Sequence, residues 1–386
     1  MLLESLKTSV LREEPYVRSV EVVALDTLCR LLQSDYYEFP LELPVTNIYS
    51  RQVEDSPESA SMARCGTVDL IPNPAWKLCG ADRYFVDEIA HTAKLSLHGV
   101  EHWPEWNGKF HIRYGSAHVA AADDRGPFVL IAGDTNHYHW VLNFVPRLMV
   151  LELAAASGLP VHDARLLVPR QVSDNAIALL VALGYPEHRI LRVDSGAAIR
   201  FEELYVPSFF PHFEVSPNIF RWYGRKLASR RKSSAPAQRI VISRGDLGTT
   251  TQRRRVMNED AMIAGLEPLG FKAHNLGHLS MDEQIDLFLD AEFVVGPHGA
   301  GFANMAFCQP GAKAIVLENS WNHTFMADMI NVSGAKAEVL VCEDVVDANF
   351  EAQYAHDPGT SSELRRNRDM TVDIAALLDK VREMLV

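Results

Sequence analysis

The chain has 386 residues, more than one hydrophobic core usually serves, so two domains are expected. Hydrophobic residues make up 47% and charged residues 23%, a soluble globular balance that excludes disordered, collagen-like and coiled-coil classes. Lys and Arg number 37 against 50 Asp and Glu, and the net charge of −13 excludes a nucleic-acid partner held by bulk charge while leaving room for a local basic patch.

The amino terminus carries acidic residues and Pro15 before any apolar run of signal-peptide length, and no stretch approaches the roughly 20 apolar residues of a membrane span. A cytoplasmic protein is expected, with peripheral membrane contact left open. Residues 1–110 read as irregular and mixed, with a helix over Leu25 to Leu32 and strand-like pieces broken by Pro40, Pro44, Pro57, Pro72 and Pro74. From Pro127 the pattern becomes an apolar FVLIAG, an amphipathic stretch from His137 to Ala156, ARLLVP, the helical SDNAIALLVALG and the strand-like RILRV, a β–α–β–α–β rhythm over 127–231. A helix over Asn218 to Arg231 then runs into the linker-like RRKSSAPAQ.

The same rhythm resumes with RIVISR (strand), NEDAMIAGLEPLG (helix, Asn258 as N-cap, Gly270 past its end), FKAHNL (strand) and SMDEQIDLFLDA (helix, with a Ser280/Glu283 capping box). FVVG, a glycine turn, a short helix near Phe302 to Cys308, AKAIVLE, a helix near His323 to Ile330 and AEVLVC follow, then a polar loop over Asp357 to Asp369 and a terminal helix over Val372 to Leu385. The expected division is 1–234, 235–350 and a closing 351–386, with the terminal helix packing back. The five cysteines, Cys29, Cys65, Cys79, Cys308 and Cys342, are odd in number, scattered and without C-x-x-C, so they read as reduced thiols and not as disulfides or a zinc ribbon.

Three constellations carry chemistry. VVGPHGAGFAN runs an apolar strand into Gly296, Gly299 and Gly301 and then a helix, a geometry in which backbone N–H groups approach an anion, and His298 sits where no core needs filling. It is neither a Walker A loop nor the G-x-G-x-x-G of dinucleotide folds. Arg244 at a strand end and Arg253, Arg254 and Arg255 before the next helix suit bidentate contact with a diphosphate. In DTNHYHWVLNFVPRL, His137 and His139 follow the strand FVLIAG, and one of them is a candidate base. His98, Glu101 and His102 spell H-x-x-E-H, but Gly99 and Trp103-Pro104 argue against the rigid helix a zinc site needs. With no D-x-D triplet and no G-x-S-x-G elbow, neither a metal nor a cofactor is expected.

The string from Arg244 through RRRVMNED, LSMDEQIDLFLDAEFVVGPHGAGFANMAFCQPG and IVLE, together with HYHWVLNFVPRL upstream, resembles glycosyltransferase family 61, in particular its bacterial capsular-polysaccharide members. The resemblance implies an α/β fold of GT-B type, two facing Rossmann-like domains, and inverting transfer of a sugar from a nucleotide diphosphate donor, a UDP-sugar foremost, to a glycan or lipid-linked glycan. It implies an acceptor-side domain over 1–234 and a donor-binding domain over 235–350. By position it implies a donor site of Arg244, Arg255, Asn258, Glu259, His298, Gly299, Ala300, Asn304 and Glu318, beside Gly301 of the glycine turn. Glu318, at a strand end, is expected to accept from ribose hydroxyls.

The base is expected to be His139, with Asp134 and His137 as the alternatives, because imidazole takes a proton readily near neutral pH. Relatives often carry an acidic residue where this chain has Asn143. Two other functions use the same features: a sugar-nucleotide epimerase or hydrolase on the same fold, and a binding subunit with a decayed site.

Overall fold

A computed structural model describes residues 9–10, 16–22, 35–43, 46–47, 52–53, 59–66, 68–71, 77–80, 84–86, 109–114, 118–119, 127–132, 136–193, 199–208, 210, 214–231, 237–244, 254–321, 324–352 and 365–386. The helix expected over Leu25 to Leu32, the H-x-x-E-H motif, Asp134, Arg253 and most of the expected linker lie outside the described residues. The chain forms two compact units, Met1–Val45 with Val53–Asn218, and Thr46–Gln52 with Ile219–Val386.

In the first unit, the amino-terminal segment expected to be irregular supplies strands. Tyr16–Val22, Val68–Ile71, Lys77–Gly80, Tyr84–Val86 and Lys109–Tyr114 join an eight-stranded sheet that also takes in Ile199–Phe201. A second, six-stranded sheet is built from β1 (Asp35–Pro40), β2 (Ser59–Cys65), β3 (Phe128–Leu130), β4 (Arg165–Pro169), β5 (Ile190–Val193) and β6 (Leu204–Pro207), in the order β5-β4-β3-β6-β2-β1. β5, β4, β3 and β6 run parallel, and β2 and β1 extend the sheet antiparallel. β4 is buried along its whole length, Arg165 included, as the apolar run LLVP requires of a strand covered on both faces.

The crossover from β3 to β4 is helical: α1 (His137–His139), a π-helical turn over Trp140–Phe144, and α2 (Arg147–Ala156). α3 (Asp174–Ala182) links β4 to β5 and is capped by Ser173, whose Oγ accepts from Ala176 N at 3.1 Å.

The second unit holds a five-stranded sheet of β7 (Gln238–Ile242), β8 (Phe271–His274), β9 (Ala291–Pro297), β10 (Lys313–Glu318) and β11 (Lys336–Val341). The order is β8-β7-β9-β10-β11, and every pairing is parallel. α4 (Glu259–Leu266) and α5 (Met281–Leu289) make the first two crossovers, and the capping box at Ser280 and Glu283 forms. The segment after the glycine turn is a 3-10 helix over Ala300–Phe307, and α6 (Phe325–Val332) precedes β11.

The apolar side chains of β7, β9 and β10, including Val241, Phe293, Val295, Ile315 and Leu317, share one core with Met262 and Leu266 of α4. The terminal helix α7 (Ile374–Leu385) closes that core with Leu377, Val381 and Met384, and its start is capped by Asp373, which accepts from Ala376 N at 3.0 Å. Cys65, Cys308 and Cys342 are free thiols, and burial pushes the Cys342 thiol up to about 12. Among the described residues no helix is long and apolar enough to cross a membrane.

Candidate functional site

The order β8-β7-β9-β10-β11 places β7 and β9 side by side, with the chain progressing outward in opposite directions from that pair. In such sheets the crevice outside the carboxyl ends of that strand pair takes the ligand. Both sequence motifs emerge there. β7 ends at Ile242 and leads into Ser243 and Arg244, while β9 ends at Pro297 and leads into His298 and Gly299. The two turns are joined, because Arg244 Nη1 donates to the His298 carbonyl at 3.1 Å. Glu259, at the start of α4, accepts from Arg244 N at 3.1 Å and from Ser243 Oγ at 2.9 Å. Both of its carboxylate oxygens thus accept from the turn and hold it against α4.

His298 is 13% exposed at the side chain, and its Nδ1 lies 2.5 Å from Oε1 of Glu318, which is 5% exposed. Burial first, then the fields of Arg254, Arg366 and Arg244, push the imidazole down to about 3. A lone carboxylate neighbour draws an imidazole the other way, but here desolvation and three guanidinium groups act against it. A neutral ring beside a carboxylate donates from Nδ1, which leaves Nε2 as the acceptor. Glu318 therefore orients His298 through a buried bond at its Oε1.

The basic turn is assembled from both ends of the unit. Arg255 donates from N, Nε and Nη2 to Asp369 at 2.8, 3.2 and 2.8 Å, so two of its three guanidinium nitrogens are tied to the carboxyl-terminal segment. Asn258 stands at the N-cap position of α4 without capping it. Its side chain instead donates to Val372 O at 2.8 Å and accepts from Val372 N at 3.0 Å.

Arg254 has a left-handed backbone (φ 48°), a conformation costly for a residue with a Cβ and frequent at functional turns. Its Nε makes no hydrogen bond among the described residues. Burial, Arg244 and Arg366 push its guanidinium down to about 9, so it stays charged at neutral pH. Arg366 is exposed and comes from the segment read as a polar loop. Asn319, directly after Glu318 and buried, holds that segment by donating from Nδ2 to the carbonyls of Arg365, Arg366 and Arg368 at 2.9, 3.2 and 3.3 Å.

Arg244, His298 and Gly299 are thus brought together, and Arg366 and Asn319 are neighbours of this region that the sequence alone did not single out. The available signal was RRNR at 365–368, a second arginine run that was absorbed into a loop. Asn304 does not reach the site: it is 0% exposed and donates to Gln284 Oε1 at 2.9 Å. Ala300 opens the 3-10 helix, and Gly301 packs so tightly that an added Cβ would lie 3.0 Å from Leu276 Cδ1. Among the described residues no three His, Cys, Asp or Glu side chains group as metal ligands.

In the first unit the HYHWVLNFVPRL segment is held at nearly every polar position. Asn136 accepts from Tyr138 N at 2.9 Å, Trp140 Nε1 donates to Ala176 O at 3.0 Å, and Arg147 Nη1 donates to Ile131 O at 3.3 Å. Ile131 precedes Ala132, the other left-handed non-glycine among the described residues (φ 57°), which turns the chain at the end of β3. His139 Nδ1 lies 2.8 Å from Asn143 Oδ1, and Asn143 Nδ2 donates to Phe210 O at 2.7 Å. His137, two residues earlier, points from a different face of the helical turn. Of the two histidines, His139 is the one that Asn143 orients.

Comparison with known proteins agrees with the motifs. Residues 137–315 match the family described as Glycosyltransferase 61, and the chain carries a domain of that family there. The match spans His139, Arg244, Arg254 and His298 and ends before Glu318 and Arg366. No curated protein matches the sequence. Among solved structures the chain is similar to the bacterial iron-containing dodecameric glycosyltransferase TibC from enterotoxigenic E. coli H10407, at 13% identity over 90% of this chain and 100% of that one, with a TM-score of 0.34. It is also similar to the dodecameric iron-containing heptosyltransferase TibC in complex with ADP-D-beta-D-heptose, at 11% identity over 98% of each chain, with a TM-score of 0.34.

Proposed function

We propose that the chain is an inverting glycosyltransferase of GT-B type that takes a nucleotide diphosphate sugar at the turns of Arg244 and His298 and uses His139 as its base. The observation that carries this reading is the group of three guanidinium groups, Arg244, Arg254 and Arg366, whose fields all act on His298 at the carboxyl ends of β7 and β9. Arg244 itself lies on the glycine turn, donating to the His298 carbonyl at 3.1 Å, and a diphosphate offers several oxygens for such guanidinium groups to share.

In the proposed reaction His139 Nε2 takes the proton of the acceptor hydroxyl as its oxygen attacks the anomeric carbon from the face opposite the diphosphate. The bond from that carbon to the diphosphate oxygen breaks, and the electron pair leaves with the diphosphate. The guanidinium groups meet the charge as it builds on the leaving group, without a divalent cation. His298 is neutral, so it serves poorly as a phosphate cation. Its Nε2 instead accepts from a hydroxyl of the donor's ribose or sugar. Resemblance to capsular-polysaccharide members supports a cytoplasmic role in surface glycan synthesis, with UDP-sugars tried first as donors.

Calorimetry with UDP, ADP, GDP and pyrophosphate tests the donor site. Arg244→Ala is expected to weaken diphosphate binding by about 1.5–3 kcal/mol, the range of a charge-assisted hydrogen bond. Unchanged binding moves the donor site elsewhere. His139→Ala is expected to lower kcat by roughly 10²- to 10⁴-fold at unchanged donor affinity. Product analysis with and without acceptor separates transfer from hydrolysis or epimerisation, and activity in excess chelator tests metal independence.

A further inference from the structure

We infer that Asn143 is a positioning residue that keeps the proton of neutral His139 on Nδ1, so that Nε2 is the atom that takes the acceptor proton. The inference rests on the reading of His139 as the base and adds which ring atom acts and what selects it.

The argument is one of donors and acceptors. The Phe210 carbonyl can only accept, so the Asn143 group 2.7 Å from it is the amide NH₂. The other end of the amide, the oxygen, therefore faces His139 Nδ1 at 2.8 Å. An amide oxygen cannot donate, so the ring nitrogen opposite it must carry hydrogen. In a neutral imidazole that leaves the lone pair on Nε2. Asn143 is 2% exposed, so water competes little for either of its bonds.

The backbone fixes the pair as firmly as the side chains do. His139 and Asn143 are four residues apart across the π-helical turn Trp140–Phe144, where Val145 N reaches back to Trp140 O at 2.9 Å. Such turns carry one extra residue and recur at functional sites. The turn is seated by the Trp140 indole on Ala176 O and begins under the Asn136 cap.

An amide also behaves differently from a carboxylate in this place. When Nε2 takes the acceptor proton, the Nδ1 hydrogen stays where it was and Asn143 Oδ1 goes on accepting it. The bond is kept in both protonation states, and the imidazolium then passes its extra proton to solvent.

The test uses the full chain labelled with ¹⁵N-histidine, with the His139 signals identified by their absence in His139→Gln. Neutral His139 is expected to show a protonated Nδ1 and an unprotonated Nε2. Asn143→Leu, which removes the acceptor at similar volume, is expected to release the ring toward the Nε2-protonated form. It should also lower kcat by about 10- to 100-fold, less than loss of the base itself, with donor KM unchanged.

A protonated Nε2 in the unaltered protein overturns the inference even if Asn143→Leu fails to fold, and so does a folded Asn143→Leu with full kcat. If the spectrum is as expected but His139→Gln keeps its kcat, the base reading falls and takes the assignment of the proton acceptor with it. That result is distinguishable from a failure of the tautomer.

Discussion

Asp369 accepts three hydrogen bonds from Arg255, one from its backbone and two from its guanidinium, across 114 residues of sequence. The pair stitches the carboxyl-terminal segment to the arginine turn, and the seam continues where Met370 N donates to Arg255 O at 2.9 Å and Met257 N to Met370 O at 2.8 Å. Asp369 is 4% exposed while Arg255 is about a third open, which puts the pair between the surface and buried cases. Asp369→Ala is therefore expected to cost about 1.5–3 kcal/mol of stability, less than the loss of one partner of a fully buried pair. Because the same seam carries Arg254 and Arg366, the variant should also lose nucleoside diphosphate affinity. Thermal unfolding and calorimetry check the two effects, and loss of stability with intact binding would uncouple the seam from the site.

Arg366 is the complementary case. It is exposed, and its guanidinium adds to a field that already disfavours charge on Arg254 and His298. Arg366→Ala is expected to leave stability within about 0.5 kcal/mol, as for a surface change, while weakening pyrophosphate binding by about 1.5–3 kcal/mol. Pyrophosphate is the better probe here, since it presents the charge without a base or ribose. Equal affinity in the variant and the parent protein removes Arg366 from the anion site.

Much of this site was readable in the sequence because its strands are local and continuous. The apolar runs that became β7, β9 and β10 end where Arg244, His298 and Glu318 begin, so strand ends and motifs coincide. The rhythm of 127–231 was readable for the same reason. The rest depended on pairings between distant residues. Asn258 looks like a helix cap because Asn caps helices, yet its amide is taken by Val372, and no local pattern reports a partner 114 residues away. Asn304 sits in a motif that reads as ligand contact, but the 3-10 helix turns it inward onto Gln284. The amino-terminal strands are mostly two to seven residues long, too short for alternation to stand out, and several pair with distant partners, as Val68–Ile71 does with Ile199–Phe201.

Two glycines of one motif should respond in opposite ways. A Cβ on Gly296 would lie 2.8 Å from Ile242 Cβ and 3.3 Å from Ile242 O, between two packed strands where neither neighbour can yield. Gly296→Ala is expected to cost about 1–3 kcal/mol of stability through overpacking. A Cβ on Gly299 would meet Arg244 Nη1 at 3.0 Å and Cζ at 3.4 Å, the far end of a flexible side chain. Gly299→Ala should keep its melting temperature and lose diphosphate affinity, because the guanidinium moves aside. Melting curves and nucleotide titrations of the two variants side by side check the contrast, and Gly299→Ala binding like the parent protein would detach Arg244 from the ligand.

The pH dependence of stability carries the signature of His298. Its imidazole is pushed from 6.5 down to about 3 by burial and by Arg254, Arg366 and Arg244. Between those values the unfolded chain binds a proton at this residue and the folded protein does not, so stability rises with pH across that window. The contribution is complete above pH 6.5 and is lost as the pH falls toward about 3, with a slope from this one group of at most about 1.4 kcal/mol per pH unit. His298→Gln, which keeps a donor for Glu318 and cannot titrate, should flatten the fall by up to that slope while lowering stability at neutral pH. Denaturant unfolding at pH 7, 6, 5 and 4 for the parent and the variant measures the difference. Parallel curves would mean that His298 carries the same charge in the folded and unfolded chains, and burial and the neighbouring arginines would then not hold it neutral in the fold.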